Sequence, residues 1–163
     1  MIQMEIGGLG FDPRNLSPLV LLKDPEELNF LPIWIGIFEA AAIAMELQGI
    51  RPPRPMTHDL LKTLLEQFNC KVERVVITDV RDGTFYAVVE MVDKENTKMS
   101  IDSRPSDAIA LAVRVGAPIF VAEQVMMQAK LVNAEKDQEE TKKFKDFIEG
   151  VRPEDFFKHF NKD

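Results

Sequence analysis

The feature that most constrains this chain is the order in which its apolar periodicity changes. In "MIQMEIGGLG", Ile2, Met4 and Ile6 alternate with Gln3 and Glu5, the period-two signature of a half-buried strand. The turn chemistry of "FDPRNLSP" separates it from a second strand, "LVLLK", and "DPEE" turns the chain into a third, "LNFLPIWIG". Pro32 cannot donate a backbone hydrogen bond, which predicts an edge or irregular position for that third strand. Two helical stretches follow, then three strands, one helix, a short apolar strand and a short helix. Strands that follow one another through tight turns do not build a regular strand–helix–strand alternation. The expected class is therefore α+β, a mixed or antiparallel sheet with packed helices.

The helical stretches differ in character. "IFEAAAIAMELQG" is rich in alanine, which permits close approach of another backbone, and Gly49 ends it. "IRPPRP" is a stiff, extended linker. "MTHDLLKTLLEQFN" gathers Leu60, Leu61, Leu64, Leu65 and Phe68 on one face, predicting an amphipathic helix packed through its leucines. Strands are expected at about 71–80, 84–92 and 97–102, with Asp82-Gly83 and "KENT" as hairpin turns. "PSDAIALAVRVG" reads as a buried helix, "APIFVA" as a strand and "EQVMMQ" as a short helix. Beyond these, "NAEKDQEETKK" is charged, and Phe144, Phe147 and Ile148 give a small apolar stripe. The expected organisation is one compact α+β domain over 1–128 and a charged linker with a C-terminal helical appendage over 129–163.

The chain has 163 residues, 45% hydrophobic and 29% charged, enough for a real core. No run reaches the roughly 18 apolar residues of a membrane helix, and no secretory signal pattern opens the sequence. The single cysteine, Cys70, leaves no internal disulfide or cysteine metal framework. Together these features predict a soluble, cytoplasmic protein. The net charge of −7 counts against loose binding to nucleic acid, which runs on neutralising phosphates. Six of the ten cations between 30 and 121 are arginines, however, so the centre of the chain can still meet an anion.

Arg-Pro precedes a polar first turn three times, at 54–61, 104–111 and 152–157. Proline suits the first helical position, and an acid in the first turn meets the positive end of the helix dipole. In "DSRPSDAIALA", Asp107 falls at the third helical position, where a carboxylate can reach back to unpaired amides. Helix-start grammar therefore explains Pro105 and can explain Asp107. Asp102, Ser103, Arg104 and Ser106 exceed that grammar. Arg114 follows Asp107 by seven residues on the same face of an apolar helix, either as a buried pair or as part of a cleft. His58 and Asp59 sit inside another helix start. His58 falls at the border of the leucine face, as a hydrogen-bonded structural residue or as a general base. Glu39 lies in "WIGIFEAAAIA" with Gly36 as the cap residue; if buried, it needs a cation.

"LPIWIGIFEAAAIAMELQGIRPPRPMTHDLL", "FYAVV" and "IDSRPSDAIALAVRVGAPIFV" resemble the bifunctional nuclease family over residues 1 to about 125, and "KFKDFIEGVRPEDF" resembles the tail of its bacterial members. The resemblance implies a compact, often self-associating α+β domain, and an activity on DNA and RNA described for plant members. The positions that fit the family motifs are Glu39, Arg54, His58, Asp59, Asp102, Arg104, Ser106, Asp107 and Arg114.

Two functions follow as expectations. In the first, the chain is a nuclease, a phosphodiester hydrolase with DNase and RNase activity, using Mg or Mn. Oxygen ligands for the metal would come from Glu39, Asp102 and Asp107, with Asp59 also a candidate. Arg54, Arg104, Arg114 and Ser106 would hold phosphate, and His58 would be the acid or base. Nucleic acid would be the substrate and a homo-oligomer, a dimer, the working form, with no membrane partner. In the second, the arginines pair with Asp102, Asp107 and Glu39 inside the fold, and the domain regulates through protein contacts without catalysis. Carboxylates fully paired to arginine favour the second; an open acidic cleft favours the first.

Overall fold

The computed structural model describes residues 1–134, together with 142, 146 and 150. The C-terminal appendage, its apolar stripe and the third Arg-Pro start lie outside the described residues. The chain forms β1 (Ile2–Phe11), β2 (Pro18–Lys23), β3 (Phe30–Trp34), α1 (Ile37–Leu47), α2 (Thr57–Gln67), β4 (Lys71–Arg81), β5 (Thr84–Val92), β6 (Lys98–Ser103), α3 (Pro105–Val115), β7 (Ile119–Val121) and α4 (Glu123–Ala134). Element order and type follow the expected succession, and α4 runs further than "EQVMMQ" alone.

The seven strands form one sheet in the order β3-β2-β1-β7-β4-β5-β6. Every pairing is antiparallel except β4 with β7, where α3 carries the chain across between β6 and β7. The sheet is thus mixed, and the class α+β. Pro32 lies in β3, an edge strand, where its missing N–H leaves no ladder bond unmade on the outer side. The β4–β5 turn uses Asp82 at φ 49° and Gly83 at φ 76°, left-handed backbone that an Asp-Gly pair adopts with least strain.

The core lies between the sheet and the helices. Leu9, Val20, Leu22 and Leu31 from β1 to β3, Val75 and Ile77 from β4, and Ile43 and Ile109 from α1 and α3 are fully buried. Ala40 and Ala44 of α1 are buried with Ala108 and Ala112 of α3, and these small side chains let the two helices pack closely. α3 also packs on β4 and β5, and α2 packs on α3.

The leucine face of α2 departs from expectation. Leu60 is 53% exposed, Leu64 44% and Phe68 73%, whereas His58 is buried. α2 rests on α3 through its first turn and through Leu65, which packs on the core, so most of its apolar stripe overhangs the margin of the sheet. Two Arg-Pro starts can be compared. Pro105 occupies the first helical position of α3, as expected. Pro55 instead precedes the cap residue Met56, because the Asp59 carboxylate closes the α2 start on the Met56 N–H at 2.9 Å.

Candidate functional site

The first turns of α1, α2 and α3 are tied together by side chains. Each helix carries its acid at the third position: Glu39 after the cap Gly36, Asp59 after Met56, and Asp107 after Arg104. At that position a carboxylate lies beside the unpaired amides and the positive end of its helix. Arg104 links two of the three helices. Its Nε donates to Asp107 Oδ2 at 2.8 Å and its Nη2 to Glu39 Oε1 at 2.9 Å. Asp107 therefore does not reach back to backbone, as a simple cap would. Its other oxygen, Oδ1, lies 3.0 Å from Nε2 of the buried His58.

A second knot lies deeper. Arg114 donates from Nε to Asp59 Oδ1 at 2.8 Å, from Nη1 to the Ala110 carbonyl at 2.8 Å and from Nη2 to the Ala42 carbonyl at 3.0 Å. Only 3% of its side chain is exposed, so this guanidinium is an internal tie across three helices. The partner of Arg114 is Asp59 and not Asp107; spacing along one helix gave no signal for a contact made between helices.

The electrostatics follow from this geometry. Burial raises the affinity of Asp107 for a proton, but hydrogen bonds from Arg104 and His58 outweigh it and hold the carboxyl below its ordinary range. The Met56 N–H and the Arg114 guanidinium do the same for Asp59. Asp107 and Glu39 in turn raise the pKa of Arg104 further above its usual value. With Asp107 ionised, it accepts from His58, which assigns the ring proton to Nε2 and leaves Nδ1 as the lone-pair nitrogen.

Glu39, His58, Asp59, Arg104, Asp107 and Arg114 are thus assembled. Asp102 is not: it is exposed on β6 opposite Val88, with no side-chain hydrogen bond or ion pair among the described residues. Ser106 is buried. Arg54 stands apart for a different reason. Arg14, Arg51, Arg74, Arg81, Arg104 and Arg114 each hold a carboxylate, whereas Arg54 has no such partner among the described residues. It is exposed in the proline-rich linker and lines a depression of about 460 Å³ with Arg51, Asp59, Lys62 and Arg114.

Two residues stand out only in the structure, Phe38 beside the cluster and Asp12 away from it. Phe38 is 83% exposed in the first turn of α1, next to Glu39; an aromatic in an alanine-rich helix start was the available signal. Asp12 is fully buried, held by Arg14 and by the Trp34 indole at 3.0 Å, where the sequence read only as a turn.

The expected metal ligands Glu39, Asp102 and Asp107 are not gathered into one cluster. Arg104 bonds both Glu39 and Asp107, Asp102 shares a groove with Asp107 but makes no bond to it, and no group of three His, Cys, Asp or Glu side chains among the described residues is placed to hold an ion. What the cluster offers is a histidine oriented by an ionised carboxylate, with an arginine 65% exposed beside it.

Residues 20–134 match the model of the bifunctional nuclease domain. An uncharacterized protein of Mycobacterium tuberculosis is 42% identical over 165 residues, 96% of this chain and 98% of the relative. Bifunctional nuclease 1 of Oryza sativa subsp. japonica is 29% identical over 106 residues, 64% of this chain and 32% of the rice protein. A bifunctional nuclease of Oryza minuta is similar to the same extent. No helix among the described residues is long and apolar enough to cross a membrane.

Proposed function

This chain belongs to the bifunctional nuclease domain family, and from that premise we propose that it hydrolyses phosphodiester bonds of DNA, RNA or both at the Arg104–Asp107–His58 cluster. The observation that carries the reading is the 3.0 Å contact between His58 Nε2 and Asp107 Oδ1, flanked by an outward-facing arginine. Asp107 fixes the ring. His58 Nδ1 then takes a proton from water as its oxygen attacks phosphorus, and returns one to the leaving oxygen as the P–O bond breaks. Arg104 stabilises charge on the phosphoryl oxygens, and Glu39 keeps it in place. Arg54 holds a neighbouring phosphate from the rigid linker, and the Phe38 ring receives a base of a single strand. In the hydrolytic step Arg104 takes the place of a divalent ion, because its guanidinium already engages both Glu39 and Asp107. A homo-oligomeric, cytoplasmic protein belongs to the same proposal.

One observation favours a second reading, a binding or regulatory domain that acts through protein contacts without catalysis. Among the described residues every carboxylate of the cluster is paired with an arginine or a histidine. The two readings separate in one assay. A labelled single-stranded oligonucleotide is cleaved by the wild-type chain in the first and left intact in the second. In the first, chelator leaves the rate unchanged; a rate abolished by EDTA would mean that Arg104 yields its carboxylates to a metal.

A further inference from the structure

The edges of the sheet are not alike. β3 carries Pro32, which breaks the run of donors that an added strand would need. β6 has no proline and no bulge against β5, and no strand among the described residues pairs with its outer edge. Beside it lies a groove of about 370 Å³ between β6 and α2, lined by Leu61, Leu64, Phe68, Val89, Met91 and Ile101 among others. Leu61, Leu64 and Phe68 are 39%, 44% and 73% exposed, and Ile101 of the strand is 49% exposed. Four large exposed apolar groups, Leu61, Leu64, Phe68 and Ile101, thus line one groove along an edge of the molecule. A strip of this extent marks an interaction surface better than scattered single residues do.

The geometry points to a second copy of this chain as the occupant, joined through β6 in antiparallel register with a twofold axis at Ser100. The side chains of β6 are written for that register. Met99 and Ile101 share a face with the buried Met91 and Val89 of β5, while Lys98, Ser100 and Asp102 are exposed on the other face. Lys98 and Asp102 have no ion-pair partner among the described residues. With Ser100 facing its own copy, Lys98 of each chain stands opposite Asp102 of the other, and Met99 opposite Ile101. Both favourable pairs occur twice by symmetry. Moving the axis to Ile101 sets Lys98 against Arg104, and moving it to Met99 leaves Lys98 facing Ser100. Charge therefore selects one register. A twofold perpendicular to the sheet also keeps the helices of both copies on one side, so the two α2 strips close over the seam.

This surface rests on the inferred self-association and is independent of nuclease activity. The test is sedimentation velocity of the full chain over a concentration series, with a charge-reversal cycle. Wild type is expected to be dimeric. Lys98→Asp and Asp102→Lys each place like charges at both pairs and weaken dimerisation by about tenfold or more. The double variant Lys98→Asp with Asp102→Lys restores it, an outcome a misfolded single variant could not produce. Leu64→Glu, on the helix, gives monomer. A wild-type chain that is monomeric throughout would overturn both the self-association and the surface. A dimer indifferent to Lys98→Asp and Leu64→Glu would overturn the surface while leaving self-association in place.

Discussion

Gly36 shows how closely single positions are set around Arg104. A side-chain carbon added there would fall on the Glu39 carboxylate, which lies back over its own helix start. Gly36 has φ −71° and ψ 154°, backbone that alanine adopts freely, so Gly36→Ala is expected to swing Glu39 aside and cost no more than about 1 kcal/mol of stability as a poorer cap. Arg104 then loses one of its two carboxylates. The expected kinetic result is a several-fold rise in KM for an oligonucleotide with a melting temperature lowered by only a few degrees, about what that stability loss predicts; unchanged kinetics would remove Glu39 from the site. The carboxyls of Asp107 and Asp59 are both held below their ordinary value. Their contribution to stability is therefore fully present above about pH 4 and is lost as pH falls through the lowered values. Thermal unfolding of wild type and Asp107→Asn at several pH values checks this: the wild type is more stable at pH 7, and the gap closes in acid. A gap that stays constant with pH would contradict the assignment of an ionised Asp107.

Among elements, the packing of α1, α2 and α3 on one another depends on Arg114. Replacing it with alanine leaves the Asp59 carboxylate without its buried cation and removes the side-chain bonds to the Ala42 and Ala110 carbonyls, at a cost of about 3–5 kcal/mol, and lysine cannot reach three acceptors with one ammonium. Arg114→Ala is expected to lower the melting temperature sharply and Arg114→Lys to recover only part of the loss, measured by thermal unfolding; near-wild-type stability of either variant would contradict its role as the tie. This scale also divides what the sequence could tell. Strands, turns and helix starts were legible because local patterns dictate them: alternation at Ile2, Met4 and Ile6, the Asp82-Gly83 turn, Pro105 at a helix start. The third helical positions of Glu39 and Asp107 were legible for the same reason. The partners were not. Arg114 with Asp59, and His58 with Asp107, join residues 55 and 49 apart, and no local pattern encodes such contacts. The α2 leucines misled because amphipathicity reports which face avoids water, not which molecule covers it.

At the scale of the whole molecule, a mixed sheet carries three helices whose first turns are joined through Glu39, Arg104, Asp107 and His58, and one edge carries an apolar strip. Because β6 runs directly into Arg104, the proposed dimer seam and the proposed site are neighbours in the chain. The Lys98–Asp102 cycle thus bears on assembly, and the cluster variants bear on chemistry. The central claim is that phosphodiester hydrolysis resides in the Arg104–Asp107–His58 cluster. The most direct measurement is the cleavage rate of single-stranded DNA and RNA by wild type, His58→Ala, Asp107→Asn and Arg104→Ala, all purified identically and verified as folded. The account predicts cleavage by wild type and a loss of about a hundredfold or more in each variant. Equal rates in all four, the mark of a contaminating nuclease, or no cleavage by any of them, would contradict it.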